Sequence, residues 1–154
     1  MHSISSQKYE IENVKGFRGL KLDSALYIYQ LNNQLADVRA LQPRQIFVFS
    51  QQFGVALFSE KIPYGFGWFN EYDPVLCVEL IESAPDTNPA DLIFAIPADM
   101  VIHVSILKAL EKRGINFPQQ YDLVKQIDFE DCQNLRTRGL NIYVYKSLSL
   151  HLKG

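Results

Sequence analysis

Gln45-Ile46-Phe47-Val48-Phe49-Ser50-Gln51-Gln52-Phe53-Gly54-Val55-Ala56-Leu57-Phe58 decides how the fold is read. Two short apolar runs, Gln45 to Phe49 and Val55 to Phe58, flank a polar bend that ends in Gly54. That spacing suits a hairpin with a glycine in its loop. The alternative is a strand leading into a short helix, which periodicity over so few residues does not exclude.

Upstream, Ala25 to Leu31 has the length and the aromatic and branched composition of a buried strand. Leu31, Leu35 and Val38 then recur at helical spacing, with Asn32 or Asn33 available as a cap and Pro43 as a stop. Residues 1–8 carry few apolar positions and read as a frayed N-terminus, with order expected from Tyr9.

Downstream, Val75 to Ile81 reads as a strand whose only charged interior residue is Glu79. Ser83 to Asp91 is a loop rich in proline, aspartate and asparagine. Leu92 to Ile96 is a strand closed by Pro97. The best helix ends at Gly114 after Lys112 and Arg113, with Asp99 or Ser105 as its cap. Leu123, Val124 and Ile127 fit helix or strand equally. Leu140, Ile142, Val144, Leu148 and Leu150 alternate with Tyr143, Tyr145, Ser147, Ser149 and His151 as in an amphipathic terminal strand, and Lys146 suits an edge position. These elements indicate an α+β fold in a single domain over 9–154, a largely antiparallel β-sheet with one or two packed helices.

The 154 residues are 47% hydrophobic and 21% charged, which is the composition of a folded domain rather than a disordered or fibrous chain. Apolar runs are far too short to span a bilayer, and the N-terminus does not have the pattern of a secretory signal, so a cytoplasmic location without membrane association is expected. Cys77 and Cys132 show neither metal nor redox spacing and read as unpaired thiols. With 15 basic against 17 acidic side chains, the net charge of −2 gives no general attraction to nucleic acid. Acidic clusters at Glu79, Glu82 and Asp86 and at Asp122, Asp128, Glu130 and Asp131 read first as a solvated surface that keeps the domain soluble, and alternatively as patches for a basic protein partner.

Signals for catalysis are sparse. Of three histidines, His103 sits among apolar residues and His151 lies near the end; together they are the elements of a two-histidine site. Glu60 with Glu71 or Asp73 brackets an aromatic segment, as the acids of a glycoside hydrolase would. Gly65-Phe66-Gly67 falls short of a nucleotide loop, Arg136 and Arg138 are an exposed pair, and no metal spacing occurs. Neither cofactor nor metal is expected, and an enzyme built on His103 and His151 or on loop carboxylates is the secondary reading.

The strongest functional signal is the aromatic segment between Pro63 and Pro74, which is broken by glycines yet rich in rings. It seals the sheet, meets a partner or lines a ligand pocket. On the second reading the partner-binding residues are Tyr64, Phe66, Trp68, Phe69, Glu71, Tyr72 and Asp73. Small size, slight acidity and missing catalytic motifs are shared with immunity proteins and antitoxin-like inhibitors of basic toxins. That likeness is one of class and not of motif.

Overall fold

The computed structural model describes residues 9–10, 21–22, 31–49, 54–65, 69–70, 72–128 and 139–152. Two short strands, β1 (Tyr9–Glu10) and β2 (Lys21–Leu22), pair antiparallel. The main sheet has five strands: β3 (Gln45–Val48), β4 (Ile62–Pro63), β5 (Leu92–Pro97), β6 (Tyr121–Asp128) and β7 (Gly139–Tyr145), in the order β4-β3-β5-β7-β6. β3 lies parallel to β4 and β5, whereas β7 runs antiparallel to β5 and β6. The sheet is mixed, mostly antiparallel by paired residues, and the fold is α+β.

β5 is buried along its whole length, which is why its sequence, Leu-Ile-Phe-Ala-Ile, is unbroken apolar rather than alternating. Side chains of the central strands divide between two cores. Ile46, Val48, Ile93, Ala95, Ile142 and Val144 face one way and meet Leu31, Leu35 and Val38 from the helical stretch 31–34 and α1 (Ala36–Arg39), together with Val55 and Phe58 of α2 (Gly54–Ser59). Phe47, Phe49, Phe94 and Ile96 face the other way, beneath α3 (Pro74–Ser83) and α4 (Val104–Lys112). The chain closes with α5 (Lys146–Leu152).

Three expected strands are helical for identifiable reasons. Val55 to Phe58 forms α2 and not the second arm of a hairpin, because Val55 and Phe58, one turn apart, bury together against Leu35 and Val38. Val75 to Ile81 belongs to α3: Asp73 accepts a hydrogen bond from the Leu76 amide at 3.1 Å, Pro74 occupies the first turn, and Cys77 and Ile81 bury at an i,i+4 spacing. The terminal strand ends at Tyr145, and α5 takes up Lys146 to Leu152, so Lys146 opens a helix and guards no sheet edge; β7 is itself interior. The undecided stretch around Leu123 is β6, with a bulge between Leu123 and Lys125. Of the strand expected over Ala25 to Leu31, Ala25 to Gln30 lie outside the described residues, as does Cys132, and Leu31 is helical.

Gly114 ends α4 as the sequence suggests, at a φ of +79°. Neither expected cap starts that helix. His103 does, its Nδ1 accepting from the Ser105 amide at 3.2 Å.

Candidate functional site at the carboxyl edge of the parallel strands

α3 connects the end of β4 to the start of β5, and α4 connects the end of β5 to the start of β6. β4, β5 and β6 all point the same way, since β5 and β6 are each antiparallel to β7. Both helices therefore run back against the strands on the same face of the sheet and pack side by side, with their N-termini at the carboxyl edge. In open sheets with parallel strands, this is the edge at which ligands are held.

The segment entering α3 is tied down locally. Asn70 accepts hydrogen bonds from the Tyr72 and Asp73 amides at 2.9 and 3.0 Å and from the Cys77 thiol at 3.2 Å. On the other side of the edge, the Ala98 amide donates to the Gly139 carbonyl at 3.1 Å, and Gly139 pairs with Asp128. A Cβ on Gly139 would come within 3.0 Å of the Ile127 carbonyl and 3.3 Å of an Asp128 carboxylate oxygen, so Asp128 is held close to the Ala98–His103 turn.

An apolar surface lies over this frame. Val101 is 92% exposed, Val75 71%, Tyr72 64% and Val104 58%, with Leu76 also exposed. Among the described residues, five of the eight large apolar side chains that face solvent sit at this edge, so they form a patch and are not scattered singly. The charged side chains at the edge itself, Asp73, Asp99 and Asp128, are acidic, and Lys108 follows one turn into α4 beside Val104. A groove of about 510 Å³ continues from Val104 along the outer side of α4, floored by Leu107 and Phe117.

The aromatic segment divides between core and surface. Tyr64 and Phe69 are each only 1% exposed, which corrects the expectation that they meet a partner. The Tyr64 amide donates to the Ile46 carbonyl, and Phe69 bridges to Phe49, which turns both rings onto the face that carries Phe47, Phe49 and Phe94. Burial also raises the Tyr64 hydroxyl pKa above its ordinary value of 10.0. Tyr72 stays outside, and Asp73 is at once exposed and the cap of α3. Phe66, Trp68 and Glu71 lie outside the described residues, as do Arg136 and Arg138.

The described parts of two catalytic pairings considered from sequence start from different edges of the sheet. His103 caps α4 at the carboxyl edge, whereas α5, which includes position 151, starts at the opposite edge with the Lys146 amide on the Gln120 carbonyl. Glu60 precedes β4 at that same opposite edge, whereas Asp73 caps α3 at the carboxyl edge. No group of three or more metal-ligating side chains occurs among the described residues, and no helix there is long and apolar enough to cross a membrane.

Val75, Leu76, Val101 and Val104 were not legible as site residues, because isolated valines and leucines carry no chemical signature. An indirect signal existed. α3 resembles a strand in sequence because its solvent side is apolar too, and a local rule broken in this way is characteristic of functional surfaces. No family model, curated protein or solved structure matches this chain.

Proposed function

We propose that this chain is a non-catalytic protein-binding domain whose contact surface is the carboxyl-edge patch of Tyr72, Val75, Leu76, Val101 and Val104. The observation that carries this reading is the gathering of solvent-facing apolar side chains at the start of two parallel, adjacent helices. Such a surface gains free energy when another molecule covers it, at roughly 25 cal/mol per Å² of apolar area. Asp73, Asp99 and Asp128 around it match a partner that presents lysine or arginine beside an apolar anchor. A small acidic inhibitor of a basic toxin, of the immunity or antitoxin-like kind, combines these properties, with the acids speeding encounter and the apolar contacts slowing escape.

The test is retention of a basic protein from extracts of the native host on immobilised wild-type chain and on a Val75→Glu/Val101→Glu variant. One basic protein held by the wild type, released by salt and lost by the folded variant is the expected result. Equal retention by both chains would remove the patch from consideration.

A further inference from the structure

A second concavity, of about 500 Å³, lies on the opposite face of the sheet between α1, β6, β7 and α5. That volume is within the range of small-molecule sites. Val38, Leu41, Val124 and Ile142 supply an apolar wall. Among the described residues one cation lines it: the Lys125 side chain is 22% exposed, and its ammonium donates to Asp37 Oδ2 at 2.7 Å. An ammonium has three N–H donors, and among the described residues Asp37 is the single acceptor that Lys125 finds. The remaining donors of a largely shielded cation are open to the concavity.

The charges around Lys125 restrict what can use them. Asp37, 81% exposed, already balances it, and the Lys125 ammonium bonded to it holds the Asp37 carboxyl below its ordinary value. Ser149, which also lines the concavity, has the Asp122 carboxylate at 2.5 Å and the Lys146 carbonyl at 2.9 Å as acceptors for its one hydroxyl hydrogen, so it has none left to offer a ligand. Because Asp37 neutralises Lys125, the pair offers neither an anion nor a cation a net attraction, and either would have to break it to make a full ion pair of its own. A neutral carbonyl oxygen accepts from Lys125 without displacing Asp37. The geometry points to a site for small uncharged molecules that join a short hydrocarbon chain to a carbonyl head, such as fatty amides, esters or lactones.

Three eight-carbon probes that differ only in the head test this: octanamide, octanoate and octylamine, titrated into the full chain and followed by methyl NMR. Octanamide is expected to bind saturably, shifting methyls of Val38, Leu41, Val124 and Ile142, at least tenfold more tightly than either charged probe. Lys125→Met should weaken octanamide by about tenfold and erase the preference among heads, while Leu41→Phe, which narrows the concavity and leaves the lysine, should weaken all binding. Absence of saturable shifts up to the solubility of octanamide, octanoate binding as tightly, or an unchanged affinity in folded Lys125→Met would each overturn the proposal.

Discussion

Phe47 and Phe69 stack with ring centroids 3.9 Å apart and planes inclined by 23°, joining an inner strand to a segment that leads into α3. Tyr64, Phe49 and Phe94 extend the stack around Phe47. Phe69→Ala should therefore cost about 3 to 5 kcal/mol and lower the melting temperature by roughly 10 °C. Tyr72→Ala, three residues on, should stay within about 0.5 kcal/mol. Thermal unfolding of the two variants checks the boundary between core and surface; equal losses would show it to be misplaced.

His103 caps α4 through Nδ1, and Ser105 Oγ lies 2.7 Å from the same nitrogen. Removing that acceptor in His103→Ala should cost about 1 kcal/mol, whereas His103→Asn, which restores a side-chain oxygen, should recover most of it. Amide exchange at Ser105 should quicken in the first variant and not in the second.

Gly65 adopts a φ of +58°, and a Cβ there would lie 3.3 Å from that of Ala84. Gly65→Ala thus meets backbone strain and a close contact together, and should destabilise the fold by about 1 to 2 kcal/mol. Chemical unfolding would record a lower midpoint at unchanged slope. A neutral result would mean that Ala84 gives way.

Burial raises the hydroxyl pKa of Tyr121, as it does that of Tyr64, above the ordinary value of 10.0. A hydroxyl that holds its proton more tightly when folded contributes stability that is whole below about pH 10 and is lost as the pH climbs past that value. Tyr121 also donates to the Pro89 carbonyl at 2.7 Å. Tyr121→Phe should accordingly be less stable by about 1 kcal/mol at neutral pH, and its deficit should shrink in alkali because it has no proton to lose there. Urea midpoints at about pH 7 and about pH 11 make the comparison; a deficit that widens would refute it.

Parts of this architecture could be read directly from residues. β5 was legible because an apolar run closed by proline has few other uses, and the end of α4 because Gly114 follows two basic residues. α2 and α3 were not, since tertiary burial on one side was set against apolar exposure or brevity on the other, and period 2 and period 3.6 cannot be separated over so short a span. The Asp73-Pro74 pair was the available clue to α3. At the candidate site Tyr72 stood out as an aromatic in a loop, but Val75, Val101 and Val104 emerged only when two helix starts were seen to share an edge.

The outer strands of the sheet are unequal: β4 offers two residues, one of them Pro63, and β6 offers eight with a bulge. Were two molecules to join rim to rim through β6, the border of the main sheet left free in each would be β4, where a third could find almost no backbone to zip onto. Lateral growth of this sheet by edge pairing would then halt at a closed pair.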